Sequence, residues 1–131
     1  MKFLLDTHVW LWSLLEPTKL NAITKSILID PANTLFLSPI SVWETLILIE
    51  KKRIQVNADP ITWVTTALRH SHVHEAVLTH AVAMRSRQIQ LPHQDPADRF
   101  IAATAIEYAL TLLTADEHLL KSAQITTIAA N

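Results

Sequence analysis

Residues 2–15, KFLLDTHVWLWSLL, decide how this chain is read. Lys2 to Leu5 form a short apolar run halted at Asp6, which suits a strand buried in a parallel sheet. Thr7 to Leu15 then reads as a helix stopped by Pro17. The same hand-over from strand to helix recurs along the chain. Thr34 to Leu37 is a second strand, and Ser38 with Pro39 behind it is an N-cap followed by proline at the first helical position. The helix from Pro39 carries Trp43, Leu46, Ile47 and Glu50 towards Lys51, Lys52 and Arg53.

Between these units Leu20, Ile23, Ile27 and Leu28 repeat at helical spacing until Asp30-Pro31. Asp59-Pro60 opens a helix through Trp63, Val64 and Leu68, Val73 to Leu78 is a third strand, and Thr79 caps a helix through Arg87. Asp95-Pro96 opens another along Phe100, Ile101, Thr104, Ala105 and Tyr108. Thr111 to Leu113 is a fourth strand, Asp116 to Lys121 a short helix, and Thr126 to Ala129 a fifth strand. Strands alternating with helices predict an α/β fold: a central parallel sheet of four to five short strands flanked by helices, in one domain spanning residues 1–131.

Composition narrows the chemistry. Half of the 131 residues are apolar and 18% are charged, as in a globular domain. No apolar run approaches the roughly 20 residues of a membrane span, and the start does not read as a signal peptide, so a cytoplasmic protein with no membrane partner is expected. The absence of cysteine excludes disulfides, thiolate nucleophiles and Cys-ligated metals. The absence of glycine excludes a P-loop and a GxGxxG turn, whose backbones need it. A net charge of −1 is not that of a protein gripping a polyanion through many cations. Any nucleic-acid chemistry must use a local site, with metal ions or a partner supplying positive charge.

Ligands of an open parallel sheet bind beyond the carboxyl ends of its strands, and the acids sort by that rule. Asp6 follows strand one, and Asp116 follows strand four after Thr114 and Ala115. Glu44 lies on the helix beyond strand two, and Asp98 in the first turn of the helix leading to strand four, with Asp95 at its cap. Asp95, Asp98 and Asp116 also have plain readings as helix caps or first-turn charges. Asp6 has less structural work to do at the end of an apolar strand. Carboxylates gathered a few ångströms apart need raised pKa values or a counter-charge. Mg²⁺ or Mn²⁺ supplies it through oxygen ligands, and such a site suits phosphodiester hydrolysis.

Four segments in order, LLDTHVWLW (4–12), SPISVWE (38–44), LPHQDPADRFIAATA (91–105) and LLTADEHL (112–119), resemble PIN-domain ribonucleases of the VapC-like toxin branch. The resemblance implies a PIN-like three-layer fold and an endoribonuclease that cuts RNA with a metal-activated water. It implies Asp6, Glu44, Asp98 and Asp116 around one or two Mg²⁺ or Mn²⁺ ions, with Asp95 replacing or supporting Asp98. Thr114 matches a hydroxyl position that orients the last carboxylate or a metal-bound water, and Thr7 is given a similar role. It also implies a homodimer and inhibition by a small cognate antitoxin protein.

Arg99 and His93 are candidates for contacting the RNA backbone. Lys51, Lys52 and Arg53 read first as cations favoured at a helix C-terminus, with a phosphate-steering patch as the other reading. His70, His72 and His74 would face one side of an extended segment, the geometry of a zinc or nickel site, against the plainer reading of a solvated edge. The four tryptophans read as core or interface aromatics. Two further functions compete: a non-catalytic PIN-like module that sequesters antitoxin or nucleic acid, and a phosphotransfer domain with Asp6 as nucleophile.

Overall fold

The computed structural model describes residues 1–92 and 94–131, so His93 lies outside the described residues. Strands β1 (Lys2–Leu5), β2 (Thr34–Leu37), β3 (His74–Glu75), β4 (Thr111–Thr114) and β5 (Thr127–Ala129) form one parallel sheet in the order β3-β2-β1-β4-β5. Helices α1 (Thr7–Leu15), α2 (Ala22–Ile29), α3 (Pro39–Glu50), α4 (Pro60–Ser71), α5 (His80–Ser86), α6 (Pro96–Glu107) and α7 (Glu117–Leu120) connect them. Strand side chains alternate between faces, and so do the packing partners. Leu4 and Leu112 pack with Ile101 and Leu119 on one face, while Phe3, Leu5 and Leu113 pack with Val9 and Trp10 on the other. The three layers expected from the sequence follow from that alternation.

Where the chain leaves β2 it passes through β3 on one side and then crosses to β4 on the other side of β1. The carboxyl ends of β1 and β4 therefore meet at the reversal of strand order, where parallel sheets open a crevice. Leu5 pairs with Leu113 in register, and the Asp6 N–H donates to Leu113 O at 3.0 Å. The two strand ends that release Asp6 and Asp116 are locked side by side.

Ser38, Asp59 and Asp95, each followed by proline, cap α3, α4 and α6 as expected. Two expectations change. Leu20 lies in no helix: a 3₁₀ turn at Pro17–Lys19 precedes it, and α2 starts at Ala22 behind the Asn21 cap. Leu20 instead packs directly into the core, which produced the apparent helical repeat. The third strand is two residues rather than Val73 to Leu78. Its partner β2 ends at Leu37, where Ser38 opens α3, so β3 has nothing further to pair with.

The lack of glycine has a visible cost. Lys52, His72 and Ala109 adopt left-handed backbone, with φ of 57°, 52° and 52°. At Ala109 the Ala109 N–H donates to Ile106 O (3.2 Å) and the Leu110 N–H to Ala105 O (2.9 Å), a Schellman closure of α6. Lys52 closes α3 the same way, through Lys52 N–H to Ile49 O and Arg53 N–H to Leu48 O. A Cβ in this region costs about 1–2 kcal/mol, of which a glycine returns part as unfolded-chain entropy. We expect Ala109→Gly to stabilise the fold by about 1 kcal/mol in urea denaturation; a loss of stability would contradict this account.

Candidate active site

Asp6 stands at the sheet's reversal point as the N-cap of α1 and is 7% exposed. Its Oδ1 accepts from the Thr7 N–H at 2.8 Å and its Oδ2 from the Thr114 hydroxyl at 2.6 Å. Thr114 Oγ1 in turn accepts from the Asp116 N–H at 3.0 Å, so one buried hydroxyl at the end of β4 ties the first acid to the last. The Asp116 carboxylate caps α7, accepting from the His118 and Leu119 N–H groups.

Glu44 arrives from α3 and receives the Thr7 hydroxyl at Oε1. Thr7 Oγ1 also lies 2.8 Å from Ser41 Oγ. With the single Thr7 proton committed to Glu44, this contact runs from the Ser41 hydroxyl to Thr7. Ser41 is one helical turn before Glu44 and fully buried. Thr7 thus holds Asp6 with its backbone and Glu44 with its side chain. Asp95 caps α6 through the Ala97 N–H at 3.0 Å, and Asp98 follows in the first turn.

Asp6, Glu44, Asp95, Asp98 and Asp116 line one cleft of about 300 Å³ together with His8. Their mutual proximity appears in their acidity. Burial and then the negative charges of Asp6, Asp95, Asp116 and Glu44 push the Asp98 carboxyl up to about 8. Burial also raises Asp6 and Glu44, against the hydrogen bonds from Thr114 and Thr7. Among the described residues no three His, Cys, Asp or Glu groups already stand as a metal-binding set. The fit to a hard divalent cation rests on donor chemistry: five carboxylates line one cleft, and carboxylate oxygens are the ligands such ions choose.

Asp6, Glu44, Asp95, Asp98 and Asp116 are therefore brought together. Arg99 is not with them. It is 6% exposed, and its Nη1 donates to Ser86 O and Ile89 O, closing the end of α5. One residue along a helix turns about 100°, so Arg99 points away from the face that carries Asp98. Thr114 orients Asp6 through its hydroxyl rather than the last carboxylate, which meets it only through the Asp116 backbone. Ser41 escaped the sequence reading; its spacing of three from Glu44 was the available signal. The histidine cluster does not form: His70 lies in the last turn of α4, His72 is its left-handed C-cap, and His74 in β3 packs its ring against Phe36 of β2. Asp6 is poorly placed as a nucleophile, since both its oxygens accept hydrogen bonds and acids surround it.

Residues 3–124 match the PIN domain family. The chain is 37% identical over 119 residues to Ribonuclease VapC22 of Mycobacterium tuberculosis (strain ATCC 25618 / H37Rv), covering 88% of each chain. It superposes on the structure of VapBC2 from Rickettsia felis, bound to a DNA fragment from their promoter, with a TM-score of 0.77 at 15% identity over the whole of both chains. VapBC-5 from Mycobacterium tuberculosis, a member of the VapBC family of toxin–antitoxin systems, gives a TM-score of 0.63 at 15% identity, covering 98% of each chain. The two structural matches carry the fold.

Carboxyls with raised pKa bind more protons folded than unfolded. Without divalent ions, stability should therefore fall as pH rises from about 4 to the Asp98 value of about 8. Thermal melts should show this slope, Asp98→Asn should remove most of it, and Mn²⁺ should raise the melting temperature more at pH 8 than at pH 5. A pH-independent melt in chelator would contradict the cluster. Separately, Ser41→Ala and Thr7→Val should each weaken Mn²⁺ binding about 10-fold in calorimetry, the scale for groups that orient ligands.

Proposed function

The chain belongs to the PIN-domain family, in its VapC-like branch, and from that premise we propose that it is a Mg²⁺- or Mn²⁺-dependent endoribonuclease, the toxin of a toxin–antitoxin pair. The observation that carries the reading is the convergence of Asp6, Glu44, Asp98 and Asp116, from four separate elements, on one cleft at the sheet's reversal point. A family match is a statement about ancestry; the acids are what would do the chemistry.

Those four carboxylates, with Asp95 at the rim, would hold one or two ions. A divalent ion bound there supplies Lewis-acid polarisation of a phosphodiester and acidifies the attacking water. The remaining work belongs to the chain. Thr114 and Thr7 hold the two Asp6 oxygens in fixed directions, each with a lone pair still to offer. Thr7, itself held by Ser41, fixes Glu44 through its hydroxyl. Burial and the neighbouring carboxylates favour the protonated form of Asp98, and a cation held in the cleft would oppose that, so occupancy would be coupled to pH.

RNA is the substrate in this reading, consistent with the name of the 37% identical ribonuclease. A small antitoxin as partner is consistent with the VapBC structures the fold resembles, and a homodimer is the assembly proposed. Among the described residues no helix is long and apolar enough to cross a membrane.

The test is an RNA digest with mapped ends, with and without EDTA. We expect endonucleolytic cuts that need Mg²⁺ or Mn²⁺. Asp6→Asn should slow cutting by at least roughly 100-fold, the scale lost when one electrostatic partner of a transition state is removed. Asparagine retains the cap, so the variant should still fold. Undiminished cutting by purified Asp6→Asn would overturn the proposal. Metal binding without any product would support the non-catalytic module instead.

A further inference from the structure

Beside the acid cleft runs a second groove of about 550 Å³ that shares His8 and Trp12 with it. Its far wall is Leu48 of α3 with Arg53 and Ile54 just after that helix, and its near wall is α1 with Lys19 beyond it. The Schellman closure at Lys52 ends α3 and sends Arg53 to this position, with the Arg53 N–H bonded to Leu48 O at 2.9 Å. Lys19 Nζ lies 5.5 Å from the centroid of the Trp12 ring and 2.7 Å from Glu16 Oε2. The side chains of Lys19 and Glu16 are more than half exposed, and such an exposed bridge is weak. Lys19 can therefore leave the ring for a better anion.

We propose that this groove carries single-stranded RNA flanking the phosphate that sits in the acid cleft. The inference rests on the nuclease reading above and names where the substrate goes. A base lies against Trp12 in place of the Lys19 ammonium, and the adjoining phosphates meet Lys19 and Arg53. Three arguments favour a nucleic-acid strand over a protein segment. The groove is continuous with the cleft in which a phosphodiester must lie. Lys19 and Arg53 outnumber the single acid, Glu16, along its walls. The Lys19 ammonium lies over the Trp12 ring, so a cation and an aromatic face stand together on the groove wall, the pairing that single-strand sites use for backbone and base. In a chain of net charge −1 with an acid-lined active cleft, these cations are where phosphates can be drawn in.

The experiment measures fluorescence anisotropy of a labelled single-stranded RNA of about 12 nucleotides on the Asp6→Asn chain, in Mg²⁺. Lys19→Glu with Arg53→Glu should raise Kd at least about 10-fold, and Trp12→Leu about 5-fold. Lys2→Glu with Arg69→Glu makes the same change in net charge at exposed positions outside the groove and cleft. That pair should move Kd less than about 2-fold if the groove, and not overall charge, holds the strand. Lys19 and Arg53 are surface residues, so the result does not depend on whether Trp12→Leu folds. Equal losses from both charge pairs would overturn the proposal. So would unchanged RNA affinity in the groove variants, which would leave the groove to a protein occupant. Cleavage by the parent chain is scored separately: if it cuts RNA while groove variants bind normally, the groove reading fails alone; if it never cuts, the nuclease reading fails.

Discussion

Repulsion among carboxylates at the carboxyl ends of β1 and β4 is the constraint around which this molecule is arranged. The rigid pairing of Leu5 with Leu113, the Thr7 N–H and the Thr114 hydroxyl hold Asp6 where it is, and α3 and α6 bring the others to it. The expense shows at Asp98, where burial and the neighbouring acids push the carboxyl up to about 8. A fold that tolerates such a cluster must be stabilised elsewhere, and the apolar layers on both faces of the sheet do that. Strain gathered at one site and offset by the core is a common mark of function.

Two threonines do unequal work in this arrangement. Thr7 touches two acids with two different groups, so α1 cannot shift without moving both Asp6 and Glu44. Thr114 uses its donor on Asp6 and its acceptor on the Asp116 N–H, so β4 and the start of α7 move with β1. Ser41 completes the circuit by saturating Thr7 from α3. The network is buried, and a buried hydroxyl is costly unless both its donor and acceptor capacities are used. Such a network has few alternative arrangements, which is what a site needs if several carboxylates are to close on an ion in one geometry.

Much of this was legible in the chain. The apolar run into Asp6 and the repeated cap-plus-proline device at Ser38, Asp59 and Asp95 are local signals, and local physics sets those boundaries. Placing acids beyond strand ends needed only the topology rule for parallel sheets. What escaped depended on direction or on a distant partner. Arg99 is adjacent to Asp98 in sequence, yet a helix points the two side chains differently, and carbonyls of residues 86 and 89 claimed the cation. β3 was shortened by where β2 stops, which no reading of residues 73–78 contains. Ser41 inside a helix reads as an ordinary polar residue until Thr7 is seen 2.8 Å away.

The missing glycines bear on function as well as on backbone strain. At a Schellman closure glycine is the usual residue because it enters the left-handed region without steric cost. Here Lys52 takes that conformation, and the following residue is Arg53, exposed at the mouth of the groove beside Trp12. The sequence Lys51-Lys52-Arg53 at first reads as charge favouring a helix C-terminus. The Schellman turn lets the same three residues do more than that, since the reversal at Lys52 carries Arg53 off the helix axis and across towards α1. An acid-lined cleft in a nearly neutral chain has no field of its own to draw in a phosphate backbone. In the RNA-binding proposal, a cation placed by a strained turn in the groove that shares His8 and Trp12 with that cleft would supply one locally, without neutralising the acids that would hold the metal.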